Sequence, residues 1–369
     1  MAVGMQRLLL QIIHVSDLHI VPRAIPAARP RGLLRRLPLP EFILQGTAGH
    51  DTRALSEFAR SVGEFLTNDA EGAGRTWLVA TGDFSTWGDD VSVRAAIQLL
   101  AAIARRHKIP WCACYGNHDV WDGTVGRFPR PWDDETRLAR RRTRLRRDHF
   151  PLPWPLAPLT DREDSTRTMT AVRGNSRGRL IGCSLNTVVH EPRQNFWALG
   201  RVGRDWYWLA RRLPHQLVAL ARQAQSHDLI IAFTHHPVYD PAPQVIGSVL
   251  VNHDVVAAEL KRHGTPLVVV SGHTHDLFPE HGRLPPVAPA GKDSHGPLAD
   301  GHVQLIGGTL SQRSVGRGGH EQTWQLLRFW EDEHAIVLER IVFARDGRAN
   351  RFRPLTDDAG GIAERMILH

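Results

Sequence analysis

The feature that most constrains this chain is a series of five short apolar runs, each of which ends in a cluster of polar residues. The runs are Leu9 to Val15, Trp77 to Ala80, Pro110 to Tyr115, Leu229 to Phe233 and Leu267 to Val270. Short apolar runs bounded by Gly or Pro predict buried strands. Helical patterns lie between them, at Thr52 to Thr67, Val91 to His107, Arg204 to Ser226 and Val255 to His263. The alternation predicts an α/β fold in which parallel strands bring the polar clusters to one rim.

The last third of the chain has a different character. Three further strands are predicted there with little helix between them, at Val303 to Ile306, Trp324 to Trp330 and Ala335 to Val342. We expect them to form a second, more antiparallel sheet packed on the first. Three stretches rich in Pro, Gly or Arg begin just after polar clusters, at 22–49, 121–175 and 276–301. We expect these to be insertions that shape access to the rim of a single domain spanning 1–369.

Composition excludes several classes of protein. Hydrophobic residues make up 42% of the 369 residues, which is too many for a disordered chain. The net charge is +8, but only three of the 46 basic residues are lysine, so an arginine-biased composition explains much of it. The three cysteines, Cys112, Cys114 and Cys183, have no disulfide or zinc-ribbon spacing, and the first two are expected in the core. With no membrane span and no signal sequence predicted, we expect a reduced, cytoplasmic protein.

The polar clusters together offer a mixed set of nitrogen and oxygen ligands. The candidate metal ligands are Asp17, His19, Asp83, Asn117, His235, His273 and His275. Such a set suits Mn, Fe or Zn, as divalent or mixed-valence ions. Seven ligands exceed what one tetrahedral ion needs, and with one bridging carboxylate they match two ions. Paired ions are the arrangement that enzymes use for in-line displacement at phosphorus.

The ordered motifs resemble those of the calcineurin-like metallophosphoesterase superfamily. They are Asp17-x-His19, Gly82-Asp83, Gly116-Asn117-His118-Asp119, His235-x-Pro237 and Gly272-His273-x-His275. Any one of them is a weak signal, but the ordered set is specific. The resemblance implies a four-layered α/β/β/α sandwich of two mixed sheets flanked by helices.

The resemblance also implies roles for individual residues. One metal ion would be bound by Asp17, His19, Asp83 and His275. The other would be bound by Asp83, Asn117, His235 and His273, with Asp83 as the bridge. His118 would donate a proton or stabilise charge at the leaving group, and Asp119 would orient His118. Hydroxide generated by the metals would then attack phosphorus in line.

Departures from known subgroups narrow the substrate. Phe84, Ser85 and Thr86 follow Asp83 without the tyrosine of purple acid phosphatases. Val120 follows Asp119 without the Glu and nearby Arg of protein Ser/Thr phosphatases, and His118 stands where lipid-A precursor hydrolases carry arginine. The pattern that remains resembles bacterial phosphodiesterases acting on cyclic nucleotides or other small phosphodiesters. The alternatives are a nuclease acting on single-stranded or damaged nucleic acid and a non-catalytic scaffold, although a scaffold would be expected to lose ligands.

Seven arginines crowd into the eleven residues from 137 to 147. As a helix this segment would be basic around most of its circumference, so it cannot be core. Arg140, Arg141 and Arg144 are candidate substrate-binding residues that would attract a phosphorylated ligand or a nucleic-acid backbone. The alternative is a solvated face paired with the acidic residues at 133–135.

The remaining histidines have structural interpretations. His14 precedes the first motif inside a strand and is expected to be a packed, hydrogen-bonded core residue. His236 follows a candidate ligand and points the other way, so we expect a supporting role. Exposed loop positions are expected for His281, His295, His302 and His320.

Overall fold

In a computed structural model of the chain, the secondary structure follows the predicted alternation of strands and helices. The residues described are 7–20, 53–72, 74–85, 90–120, 167–172, 179–184, 187, 229–238, 267–274, 297–298, 302–311, 322–332, 335–346, 349–355 and 364–368. The helices are α1 (Arg53–Asn68), α2 (Asp90–His107) and α3 (Asn117–Val120). The strands are β1 (Arg7–Val15), β2 (Thr76–Ala80), β3 (Trp111–Ala113), β4 (Arg167–Val172), β5 (Arg179–Ser184), β6 (Leu229–Phe233), β7 (Leu267–Ser271), β8 (Pro297–Leu298), β9 (His302–Ile306), β10 (Thr323–Glu331), β11 (Ile336–Asp346), β12 (Arg351–Pro354) and β13 (Glu364–Ile367).

Within the described residues, the strands form two mixed sheets. The first has the order β12-β11-β10-β1-β2-β3, and β13 also pairs with β11. In it β1 is parallel to β2 and antiparallel to β10. The second sheet has the order β4-β5-β6-β7-β9-β8, and its strands β5, β6, β7 and β9 are parallel.

The side chains of β1 alternate between two apolar layers. Ile12 packs into a cluster that joins the two sheets and includes Phe233 and Val268 of the second sheet. Ile13 points the other way, into a cluster shared with Phe58 of α1 and Leu100 of α2. A strand alternates its faces at every residue, so a strand buried on both sides shows a continuous apolar run. The core therefore lies in two layers, one between the sheets and one under the helices.

The described residues show a helix layer, the first sheet and the second sheet. Helix α1 is amphipathic and buries Ala54, Leu55, Phe58 and Val62 at helical spacing against the first sheet. The helices predicted at 204–226 and 255–263, which would make the fourth layer, lie outside the described residues.

The predicted arrangement of the C-terminal strands is wrong. Strands β10 and β11 extend the first sheet antiparallel to β1, whereas β9 joins the second sheet parallel to β7. The reason is that β10 is buried on both faces. Its Leu326 lies in the helix-side layer and its Leu327 in the layer between the sheets. A strand buried in this way has no polar face from which its sheet could be inferred.

Several other predictions fall partly or wholly on residues that are not described. The 22–49 segment is one of them. Of the 121–175 segment, 167–172 form strand β4, and of the 276–301 segment, 297–298 form β8. His302 was expected in an exposed loop, but it is buried in β9 at 3% exposure. No helix in the described parts of the chain has the length and apolar character needed to cross a membrane.

Candidate metal centre

The polar clusters converge where the two sheets meet. They follow β1, β2 and β3 of the first sheet and β6 and β7 of the second, each at the carboxyl end of its strand. Main-chain hydrogen bonds lock neighbouring turns together, from Asp17 N to Gly82 O at 3.1 Å and from Gly272 N to His235 O at 3.0 Å. The predicted single rim is therefore formed by two sheets rather than one.

The backbone at the centre is left-handed at four non-glycine residues. The φ angle is 54° at Asp17, 42° at His19, 52° at Asp83 and 75° at His273. An L-residue in this region costs about 1–2 kcal/mol. All four are predicted metal ligands, so the strained backbone coincides with the metal site that the sequence predicts.

Two glycines allow the turns to approach one another. Gly82 has a φ of 97° and lies against the backbone of Gly116 and the Nδ1 atom of His235. A Cβ atom at Gly272 would overlap the hydroxyl of Ser16 beside Asp17. These positions need a residue without a side chain because two chain segments meet there.

The Asp83 carboxylate lies at the middle of the centre. Its Oδ2 is 3.6 Å from His19 Nε2 and 3.3 Å from His235 Nε2. His19 Nε2 is also 3.8 Å from Asp17 Oδ1. One carboxylate oxygen thus faces a histidine from each sheet.

The Asn117 amide oxygen joins the second group of donors. Asn117 Oδ1 is 2.9 Å from His235 Nε2 and 3.1 Å from His273 Nδ1. The backbone N–H of His273 donates to Asp17 Oδ2 at 3.2 Å, which ties this group to the first. Asp17, His19, Asp83, Asn117, His235 and His273 therefore lie together.

This donor set fits metal ions. Two ligand atoms about 2.1 Å from one ion lie about 3.0–3.4 Å apart at octahedral or tetrahedral angles. The pairs described above span 2.9 to 3.8 Å. Two groups of three donors, His19 with Asp83 and His118, and Asp17 with Asp83 and His235, each lie within 4.8 Å of one another. Asp83 is common to both groups, as a bridging ligand would be.

The short helix α3 carries His118 and Asp119. The backbone N–H of His118 donates to Asp83 Oδ1 at 2.9 Å, and its ring lies 4.8 Å from the ring of His19. Asp119 is fully buried and accepts from the backbone N–H groups of Gly116, at 2.9 Å, and Ser85, at 3.0 Å. This carboxylate therefore caps α3 and ties it to the turn that follows β2.

The buried charges perturb one another. Burial raises the pKa of Asp83, but the imidazoles of His235, His118 and His19 outweigh it and hold that pKa well below its usual range. Burial lowers the pKa of His235, but the Asp83 carboxylate outweighs it and raises that pKa to about 9. Burial and the charge of Asp83 raise the pKa of Asp119 to about 8. A proton or another cation is therefore strongly favoured between Asp83 and His235.

His236 was expected to point away from His235, but it lies beside two candidate ligands: it, His235 and His273 offer nitrogen atoms that lie within 4.8 Å of one another. It is buried, its Nδ1 lies 2.8 Å from Thr187 Oγ1, and its ring centroid lies 4.2 Å from that of His273. Sequence reasoning missed Thr81, whose carbonyl oxygen is 2.7 Å from His235 Nδ1. Every residue has a main-chain carbonyl, so residue type could not identify this acceptor. The only signal in the sequence is that Thr81 directly precedes Gly82-Asp83.

Four predicted site residues lie outside the described parts of the chain. They are His275 and the candidate substrate-binding residues Arg140, Arg141 and Arg144.

The sequence matches the family model of calcineurin-like phosphoesterases over residues 10–277. The chain belongs to this family. The match contains every candidate metal ligand, from Asp17 to His275. This calcineurin-like phosphoesterase is accordingly a metal-dependent phosphoester hydrolase, of a family that uses two divalent metal ions.

One solved structure shares the fold. A dimetal phosphatase from Danio rerio is similar to this chain with a TM-score of 0.52 and 13% identity, over 98% of this chain and 100% of its own. A phosphopantetheinyl hydrolase from Mycobacterium tuberculosis (TM-score 0.36, 11% identity, 83% of this chain and 91% of its own) aligns more weakly. So does Vps29 from Chaetomium thermophilum (TM-score 0.32, 10% identity, 98% and 97%). Comparison with curated proteins finds no matching sequence.

Proposed function

We propose that this phosphoesterase hydrolyses a small phosphodiester, such as a cyclic nucleotide, at a centre of two transition-metal ions. The observation that carries the proposal is the position of Asp83 Oδ2, which faces His19 of one sheet and His235 of the other. A carboxylate so placed is suited to bridge two ions. Phosphodiester hydrolysis is among the reactions that paired ions accelerate most effectively.

Each ion has its own ligands in this proposal. Asp17, His19, Asp83 and His275 hold one, and Asp83, Asn117, His235 and His273 hold the other. The mixed nitrogen and oxygen donors favour Mn, Fe or Zn over Mg or Ca. Two bound cations supply Lewis acidity and positive charge at the reacting phosphoryl group.

The chain supplies the groups that handle protons and orientation. His118 is partly exposed at the rim beside His19, and its backbone is fixed to Asp83. Its imidazole donates a proton to the leaving oxygen. Asp119 holds the turn of helix that carries His118, and the Thr81 carbonyl fixes His235 so that Nε2 faces Asp83.

The position after Asp83 argues against one alternative. Phe84 is fully buried, and its ring lies 6.2 Å from that of Tyr115, so it packs in the core. None of the three residues that follow Asp83, which are Phe84, Ser85 and Thr86, is the tyrosine that ligates ferric iron in purple acid phosphatases. Together with His118, this favours the phosphodiesterase branch of the family.

The proposal also covers the domain organisation, the binding of the substrate and the location of the protein. Residues 1–369 form one domain, and the insertions shape access to the rim. Arg140, Arg141 and Arg144 bind the charged substrate. The buried, unpaired thiols of Cys112 and Cys114 support a reducing, cytoplasmic location.

Substrate class is tested by direct competition between substrates. Protein loaded with Mn²⁺ should hydrolyse bis-p-nitrophenyl phosphate and cyclic AMP, and its metal content should approach two ions per chain. Single-stranded DNA and RNA oligonucleotides are the comparison, assayed over a rising salt series. Cleavage of oligonucleotides that weakens steeply with salt, without cleavage of cyclic AMP, would instead establish a nuclease. A chain that binds metal and cleaves neither would be a scaffold.

The role of His118 is tested by His118→Ala. Because His118 is not among the proposed ligands, the variant should keep its metal content. Turnover of an ester with a poor leaving group should fall by about 10²–10⁴-fold, the range of general acid catalysis. The loss should be smaller for p-nitrophenyl esters, whose leaving group needs no proton. Full activity of the variant on the poor leaving group would remove His118 from the mechanism.

A further inference from the structure

A buried chain of hydrogen bonds leads from β11 to the metal centre. Arg340 Nε donates to Gln325 Oε1 at 2.8 Å, and Gln325 Nε2 lies 2.6 Å from His14 Nδ1. His14 Nε2 lies 2.8 Å from Thr81 Oγ1. The carbonyl of Thr81 then accepts from His235 Nδ1. Arg340, Gln325, His14 and Thr81, which we term the rim network, are all fully buried.

The chemistry of the side chains determines which group donates and which accepts in each hydrogen bond from Arg340 to Thr81. A guanidinium can only donate, so Arg340 turns the carbonyl end of the Gln325 amide toward itself. The amide nitrogen of Gln325 then donates to His14 Nδ1, which leaves the proton of His14 on Nε2, facing Thr81. Burial, and to a lesser degree Arg340, lowers the pKa of His14 to about 3 against the opposing effect of Asp17. His14 is therefore neutral, as this arrangement requires.

The rim network lies where apolar residues would otherwise be expected. His14 continues the face of β1 that carries Ile12, and Gln325 shares a face of β10 with Leu327. That face packs between the sheets, where an unpaired polar group would cost several kcal/mol. Arg340 also reaches the second sheet, with Nη2 3.3 Å from the carbonyl of Ile306. The hydrogen bonds of this network tie the two sheets together at this depth.

Thr81 is the point at which the rim network meets the candidate ligands. Its N–H donates to Val15 O at 3.0 Å, and its hydroxyl is held by His14. The next two residues, Gly82 and Asp83, have φ angles of 97° and 52°. Holding Thr81 therefore fixes both the strained turn that presents Asp83 and the carbonyl that orients His235.

We infer that His14 is a positioning residue of the metal centre, which acts through Thr81 to set the orientation of His235 and Asp83. This inference rests on the proposed role of those two residues as metal ligands. His14 does not contact the substrate or the ions in this assignment. Residues that orient metal ligands typically contribute 10–100-fold to metal affinity or activity.

Two substitutions at His14 separate positioning from packing. In His14→Gln the amide nitrogen can take the place of Nε2 and still donate to Thr81, whereas Asn in His14→Asn is too short to reach it. We expect His14→Asn to lower metal affinity, measured by titration calorimetry, by 10–100-fold and kcat with it, with little change in KM. His14→Gln should restore both to within about threefold of the unsubstituted protein. Ile12→Val, on the same face of β1, is the control for lost packing and should leave metal affinity unchanged.

A second measurement needs neither metal nor turnover. In chelator-treated protein, the Nδ1 proton of His235 should exchange slowly with solvent, because it is buried and bonded to Thr81. Proton NMR can follow this resonance, which is assigned by its absence from His235→Asn. His14→Asn should accelerate the exchange, and His14→Gln should not. If His14→Asn does not fold, Thr81→Val, which lacks the hydroxyl, and Thr81→Ser, which keeps it, provide the same comparison.

The outcomes separate this inference from the proposed function. Equal metal affinity and equal exchange in His14→Asn and the unsubstituted protein would overturn the inference. So would equal losses in His14→Asn, His14→Gln and Ile12→Val, because these would indicate packing alone. Failure of the unsubstituted protein to bind metal would overturn the proposed function, and the exchange measurement would still report whether His14 holds His235.

Discussion

Two clusters of polar side chains show how differently a fold can treat charge. One is the metal centre. The other, the ion-pair cluster, consists of Gln11, Asp69, Arg328, Glu339 and Arg365. Arg328 Nη2 lies 3.3 Å from Asp69 Oδ1, and its Nη1 lies 3.5 Å from Glu339 Oε2. Gln11 closes the arrangement by accepting from Arg328 and donating to Asp69.

The two clusters differ in what balances their carboxylates. In the ion-pair cluster, Asp69 and Glu339 each meet a guanidinium, and none of Gln11, Arg328 and Glu339 has a left-handed backbone. In the metal centre, Asp83 meets imidazoles, and its backbone is left-handed. The ion-pair cluster supplies its own counter-charge, whereas the metal centre concentrates ligands and strained backbone. We conclude that the ion-pair cluster serves stability and that the metal centre serves function at a cost in stability.

The strongest test of this difference is Asp83→Asn. Asn tolerates the left-handed backbone, so the fold should persist. Near pH 9, where His235 has lost most of the stabilisation that its proton gains from Asp83, the free energy of unfolding without metal should change by less than about 1 kcal/mol. Loss of the bridging charge should remove one or both ions and lower kcat/KM by about 10⁴-fold. Metal analysis and steady-state kinetics measure the two effects. Retention of both ions with normal kinetics would contradict the assignment of Asp83 as the bridge.

The opposite result is expected in the ion-pair cluster. Arg328→Met keeps a side chain of similar length but leaves the carboxylates of Asp69 and Glu339 without their shared guanidinium. We expect the free energy of unfolding to fall by about 3 kcal/mol, measured by urea denaturation. Below the unfolding transition, metal content and kcat should match the unsubstituted protein. A loss of activity in the folded variant would show that the two clusters are coupled.

The contrast also explains how much the sequence could predict. The strands and the candidate ligands could be predicted, because apolar runs that end in Asp, His or Asn mark both. The sheet to which β10 belongs could not be predicted. Leu326 and Leu327 are both buried, so the strand shows no alternation of apolar and polar residues there. The left-handed angle at Asp83 and the carbonyl contact of Thr81 depend on packing between segments that are distant in sequence. Residue type alone carries no trace of such contacts.

The charge balance of the metal centre predicts a specific pH dependence. Because the Asp83 carboxylate raises the pKa of His235 to about 9, His235 must lose a proton to bind metal below that pH. Metal affinity should therefore fall by about tenfold for each unit that the pH drops between 8 and 6, as calorimetry can measure. Chelated protein should behave in the opposite way. The contribution of the His235 proton to its free energy of unfolding is complete below pH 6.5 and is lost as the pH rises toward 9.

A metal affinity that does not change with pH would contradict this account. The ion-pair cluster provides the internal comparison, because it contains no histidine. Arg328→Met should therefore leave the slope of affinity against pH unchanged.

The smallest effect concerns strained backbone outside the metal centre. Lys108 has a φ of 54° and ends helix α2, with its own N–H bonded to Arg105 O at 3.3 Å and the N–H of Ile109 bonded to Ala104 O at 3.0 Å. This is the pattern of a Schellman cap, whose left-handed position favours glycine. Lys108→Gly should raise the free energy of unfolding by about 0.5–1 kcal/mol without changing kcat or metal content.

The matched variant is Asp83→Gly, which relieves the same kind of backbone strain at the metal centre. It should relieve that strain but also remove the carboxylate that accepts from the N–H of His118, and it should lose the ions and the activity. Urea denaturation with and without Mn²⁺ separates the two cases. If Lys108→Gly is no more stable than the unsubstituted protein, the left-handed angles cost little. Strained backbone would then no longer distinguish the metal centre from the ion-pair cluster, and the counter-charge alone would do so.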